Sequence, residues 1–141
     1  MARVDVIEYI TIASTGDSTD FGNLTDARDP SALASSVRAV FAGGNSQSAS
    51  QSVNTMDYIT IASTGNASDF GDLTVNRRYV TGLSSATRGV HAGGNGGGGE
   101  TYSSVIDYIT IASTGDSTDF GDLVTPANAP TGVSNDHGGL A

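Results

Sequence analysis

The residues of this chain that could do chemistry come in copies. Two acidic clusters, Asp17-Ser18-Thr19-Asp20 and Asp116-Ser117-Thr118-Asp119, each run into a Phe-Gly pair, Phe21-Gly22 and Phe120-Gly121. Closely spaced carboxylates and hydroxyls are what a hard cation such as calcium requires. Two features argue against that chemistry. The middle copy begins with Asn66 where the others have aspartate, and phenylalanine takes the fifth position, where an EF-hand loop needs an oxygen. The clusters therefore read as hairpin turns whose short polar side chains bond nearby amides. No metal and no other cofactor is expected.

Arg38 and Arg88 occupy matching positions, with Gly138 at the third. Repeated arginines can grip a carboxylate or an acidic sugar through paired hydrogen bonds, which makes these two the candidate ligand-binding residues. The favoured competing reading pairs each with an aspartate of its own or the next repeat. His91 stands where Phe41 and Ala141 stand in the other copies, a tolerance that suggests partial exposure. No Ser-His-Asp arrangement repeats with it, and His137, beside Asp136, reads as solvated. The glycine run after Asn95 lacks the Gly-Lys-Ser/Thr ending of a phosphate loop. It and its sister, Asn45 to Gln51, read as flexible hairpin connections. The triplets Asn23-Leu24-Thr25 and Asn66-Ala67-Ser68 read as incidental. Nothing assembles a nucleophile, a base and an oxyanion donor, so no catalytic residue is named and no enzyme is expected.

Composition narrows the partners. Fifteen acids face six bases, all of them arginine, for a net charge of −9. Such a surface repels phosphate backbones and anionic lipid, so neither nucleic acid nor membrane is expected as a partner. No apolar run approaches the ~18 residues of a membrane span, and no leader is visible at the N-terminus. Cysteine is absent, so no disulfide or thiolate chemistry is available.

The elements that must position these residues follow from an internal repeat. Ile7-Glu8-Tyr9-Ile10-Thr11-Ile12-Ala13-Ser14-Thr15-Gly16 returns from Met56 and again from Ile106. A period near 50 residues marks one supersecondary unit stacked on copies of itself. The reading is a single repeat domain over 1–141, with repeats at approximately 4–52, 53–103 and 104–141. In the middle copy Val53 to Ser63 reads as a strand, rich in β-branched and aromatic residues. Thr64 to Ala67 is a turn, and Ser68 to Thr74 a second strand. Gly82 to Ser85 and Arg88 to Gly94 are a third and fourth strand about a turn at Ala86-Thr87. No segment sustains a 3.6-residue apolar period. The strand from Ile106 to Ser113 is apolar on both faces, with Ile106 and Tyr108 on one and Ile109 and Ile111 on the other. That suits a sheet covered on both sides.

Four short strands per 50 residues is the dimension of a propeller blade. The unit resembles a kelch repeat. It has a strand ending in Gly-Gly (Gly43-Gly44, Gly93-Gly94), a variable loop, a tyrosine-bearing strand (Tyr58, Tyr108), an aromatic where kelch has tryptophan (Phe21, Phe70, Phe120) and an arginine before the next strand (Arg28, Arg78). The wording Asp-Tyr-Ile-Thr-Ile-Ala-Ser-Thr-Gly-Asn is also similar to that of repeated kelch-like proteins of marine cyanobacterial phages. The departures are phenylalanine for tryptophan and Asn128 in the third arginine place.

The resemblance implies an all-β, kelch-like β-propeller. The last two strands of one blade lie at the N-terminus, from Val4, and the first two at the C-terminus, from Gly132. That makes three blades' worth of strand per chain. Propellers typically close with four to eight blades, so the expected assembly is a six-bladed homodimer closed by strand exchange, with Val4 to Ser14 pairing Gly132 to Ala141 of the partner. A β-trefoil is the alternative. The function implied is a non-enzymatic structural or attachment component of a phage particle. Its partners would be a second copy and host glycan or other virion proteins. A glycan-binding lectin is the alternative.

Overall fold

The computed structural model describes residues 2–96 and 101–134. Within them the chain is all-β: twelve strands in four small sheets, with no helix. β1 (Val6–Tyr9) pairs with β2 (Thr19–Asn23). β3 (Ser31–Ala34), β4 (Arg38–Ala42), β5 (Thr55–Thr60) and β6 (Ser68–Asp72) form a four-stranded antiparallel meander. β7 (Arg77–Arg78) pairs with β10 (Asn95–Gly96). β8 (Thr81–Ser84), β9 (Arg88–Ala92), β11 (Ser103–Thr110) and β12 (Thr118–Ala127) form a second meander. The strands expected in the middle copy are all present; three are shorter than expected, and β8 keeps its length one residue earlier.

The repeats read from the sequence do not coincide with the sheets. Each four-stranded meander takes its first two strands from the end of one repeat and its last two from the start of the next. The β1–β2 pair corresponds to the last two strands of such a sheet. The segment expected to complete it, Gly132 to Ala141, lies outside the described residues from 135 onward.

Each tyrosine strand bulges against its partner at the same place. The register slips between Ile7 and Glu8, between Met56 and Asp57, and between Ile106 and Asp107. A bulge leaves one residue unpaired in the ladder. Here that residue is Phe21, Phe70 or Phe120, and Phe21 and Phe70 point their carbonyls away from their own sheet. Gly65 N donates to Phe21 O at 2.7 Å, and Gly115 N to Phe70 O at 2.6 Å. Local pairing irregularity thus becomes sheet-to-sheet adhesion.

The core lies between sheets. Leu33, Val40, Met56, Phe70, Leu73, Ile109 and Ile111 pack where the two meanders face each other. Ile7, Phe21, Leu24 and Ile59 pack between the β1–β2 pair and the first meander. This is why the tyrosine strand is apolar on both faces. The glycine pairs permit the tightest approaches. Gly93 and Gly94 have φ of +65° and +100°, and a Cβ on Gly94 would press on Arg78 O.

Candidate functional site

The most deeply buried chemistry is a pair of arginine–aspartate bridges. The bulge turns Asp57 and Asp107 inward, and both are fully buried. Arg28 donates through Nη1 to Asp57 Oδ2 at 2.8 Å and through Nε to Gly43 O at 3.0 Å. Thr25 Oγ1 supplies Asp57 Oδ1 at 2.8 Å. The second copy repeats the plan. Arg77 Nη2 donates to Asp107 Oδ2, Arg77 Nη1 to Gly93 O at 2.8 Å and Val105 O at 2.7 Å, and Thr74 Oγ1 to Asp107 Oδ1 at 2.6 Å. Burial pushes the Arg77 guanidinium below its usual range, against the pull of Asp107.

This corrects the alignment of the repeated arginines. Arg77, not Arg78, takes the place of Arg28. Arg77 follows Tyr58 at the same spacing as Arg28 follows Tyr9, and the one residue by which the second repeat is longer falls between Arg77 and Arg88. Arg78 instead lies over the Tyr79 ring, 5.2 Å from its centroid.

His91 is also corrected. It is fully buried, not partly exposed. Its cross-strand partner is Asp107. Its Nδ1 lies 3.2 Å from Ser31 Oγ, while Nε2 meets no hydrogen-bonding group among the described residues. Burial, reinforced by the Arg77 charge, lowers its pKa to about 3. Phe41, at the matching place in the first meander, is only partly buried.

Arg38 and Arg88 pair with no carboxylate among the described residues. They stack on tyrosine instead. Arg38 Cζ lies 4.3 Å from the Tyr58 ring centroid and Arg88 Cζ 4.7 Å from that of Tyr108. The register explains it. Arg38 opposes Thr60 while Tyr58 opposes Val40, so arginine and tyrosine are diagonal neighbours on one face. Each tyrosine in turn meets a phenylalanine edge-on, Tyr58 with Phe70 and Tyr108 with Phe120, both at 6.0 Å. Arg38 also reaches across to the next sheet, donating to Ile111 O at 2.9 Å. Arg88 is exposed and has no such partner among the described residues.

Tyr108 borders a shallow open groove of about 200 Å³, lined also by Phe70, Thr110, Ser113, Asp116 and Thr118. A sister groove of about 150 Å³ lies against Tyr9, Thr11, Ser14, Asp17 and Thr19. Tyr108, Thr110, Ser113 and Thr118 present polar atoms to the larger groove, and Arg88 lies over the Tyr108 ring.

The acidic turns act as junctions between sheets. Asp116 Oδ1 accepts from Asp72 N, and Asn66 Oδ1 from Asn23 N, each at 3.0 Å. Either an aspartate or an asparagine oxygen serves this bond, which explains the disagreement between copies. Among the described residues no group of three acidic or histidine side chains is arranged to hold a metal. The connections read as flexible are partly tied down. Ser46 N donates to Gln51 O and Gly96 N to Thr101 O, while residues 97–100 lie outside the described residues.

The chain matches no protein-family model and no curated protein. Any functional reading therefore rests on its own residues.

Proposed function

We propose that the chain is a non-enzymatic structural or attachment component, of the kind borne on a phage particle, in which a rigid kelch-like propeller carries surface loops. The observation behind this reading is where the recurring polar groups are spent. Thr25–Arg28–Asp57, Thr74–Arg77–Asp107, Asn66 and Asp116 all join one stretch of β-structure to the next. A chain that commits its repeated chemistry to cohesion is built for shape. Four-stranded meanders packed through their faces, with apolar clusters between them, support a propeller over a trefoil.

The second reading is a glycan-binding lectin. It is favoured by the recurrence of the tyrosine-bordered groove at Tyr9 and Tyr108, with Arg88 beside the latter. Weak repeated sites gain strength by avidity.

A glycan array carrying neutral and acidic sugars, probed with the 141-residue chain, separates the two. The scaffold reading expects no sugar to be retained through the Tyr108 groove, so Arg88→Ala should leave the array unchanged. Retention of uronic or sialic acid glycans, lost on Arg88→Ala, would replace it with the lectin.

A further inference from the structure

Two sister junctions hold the described sheets together, and a third half-junction lies open at each end. At the first, the loop between β5 and β6 docks on β2: Gly65 N meets Phe21 O, and Ala67 N meets Asn23 O. At the second, the loop between β11 and β12 docks on β6: Gly115 N meets Phe70 O, and Ser117 N meets Asp72 O. The same acceptors recur on β12, at Phe120 and Asp122. The same donors recur in the loop between β1 and β2, at Gly16 and Ser18. Neither set meets its counterpart among the described residues.

Exposure marks the same two faces. Phe21 and Phe70 are 7% and 2% exposed, whereas Phe120 is 54% exposed. Ile111, which enters the second junction, is 1% exposed, whereas its equivalent Ile12 is 95% exposed. A Cβ at Gly22 would strike Gly65 O and one at Gly71 would strike Gly115 O, but one at Gly121 would meet nothing within 4 Å. Gly121 has the positive φ of its sisters, +137°, so the backbone is already shaped for a close neighbour.

We propose that these two faces close on each other between two copies of this chain, β12 of one receiving the β1–β2 loop of the other. Gly16 N then donates to Phe120 O and Ser18 N to Asp122 O. Asp17 accepts from Asp122 N as Asp116 does from Asp72 N. Ile12 fills the place of Ile111, and Arg88 reaches Ile12 O as Arg38 reaches Ile111 O. A second copy is the fitting partner because each face supplies what the other lacks, in the register of the two junctions already formed. The inference rests on the propeller arrangement of the sheets and not on the choice between scaffold and lectin.

The third junction differs in one respect. Val124 and Ala127 stand where Thr74 and Arg77 stand, and Glu8 where Asp107 stands. It lacks the buried ion pair, so its cohesion comes from apolar contact and backbone bonds.

Light scattering of the 141-residue chain should report twice 14.2 kDa. Ile12→Asp and Phe120→Asp each change a side chain that is exposed within one chain. Each should leave the circular dichroism spectrum intact and weaken association ~30-fold or more, the loss of a central contact. A second measurement covers a variant that fails to fold. The chain has no cysteine, so Ser18→Cys with Asp122→Cys should yield a disulfide-linked dimer on oxidation. A monomer, a dimer indifferent to both aspartates, or absence of the cross-link overturns the proposal. Ile12 lines neither groove, so an Ile12→Asp variant that dissociates the dimer yet still retains any bound glycan separates the two readings.

Discussion

His91 should make the fold acid-sensitive well above the range where carboxylates titrate. The imidazole is fully buried beside the Arg77–Asp107 pair, and its pKa is lowered to about 3. With the Ser31 hydroxyl donating to Ala42 O, Nδ1 donates to Ser31 Oγ and Nε2 is left as a bare buried lone pair. A proton there would place a second cation next to the Arg77 guanidinium. In the unfolded chain histidine titrates near 6.5. A group whose folded pKa is depressed contributes its full stability above the unfolded pKa and loses it as pH falls toward the folded value. The window for His91 therefore runs from about pH 6.5 down to about 3. At ~1.4 kcal/mol per pH unit, acidification from pH 7 to pH 5 should cost ~2 kcal/mol. Urea unfolding followed by circular dichroism, at fixed chain concentration, measures this directly. His91→Gln removes the titrating ring and keeps a neutral polar group, so it should flatten the curve between pH 7 and pH 5. A wild-type loss under ~0.5 kcal/mol, or an unchanged slope in His91→Gln, would refute the burial argument.

Other outcomes follow from the junctions. Asp107→Ala strands a buried guanidinium with two carbonyls and should cost ~3–5 kcal/mol, a fall of roughly 10 °C in Tm, while exposed Asp69→Ala should stay within ~0.5 kcal/mol. Equal effects in a thermal melt would show that the buried pair is dispensable. Replacing Gly93 and Gly94 together by valine forces β-carbons onto positive φ and onto Arg78 O, and should cost more than ~1 kcal/mol. An unchanged Tm would mean that the pair is only a connection.

Much of the architecture was legible because it was written more than once. A 50-residue period with four β-rich runs per unit identifies the strands, and the two apolar faces of the Ile106 strand identify a sheet covered on both sides. The glycine pairs announce positive φ because few other residues accept it cheaply. The candidate site was less legible. Arg38 and Arg88 were visible as a repeat, but their tyrosine partners depend on cross-strand register, which side-chain spacing alone does not reveal. Counting back from Arg88 selects Arg78, because the extra residue of the second repeat lies between Arg77 and Arg88, whereas counting on from Tyr58 selects Arg77. The burial of His91 is not legible from the variety at its position, because it depends on the covering sheet: His91 is fully buried while Phe41 is only partly so.

The sequence by itself determined that this chain is a repeated, cysteine-free, acidic all-β unit, since period, composition and β-propensity are local properties summed along a chain. Tertiary structure alone decided what the polar residues do. Burial of Asp57 and Asp107, the low pKa of His91 and the docking of Asp116 on Asp72 N all arise where one sheet meets the next. The strength of a charge or a hydrogen bond depends on the dielectric and the partners around it, and those are supplied by residues distant in the sequence, on neighbouring strands and sheets.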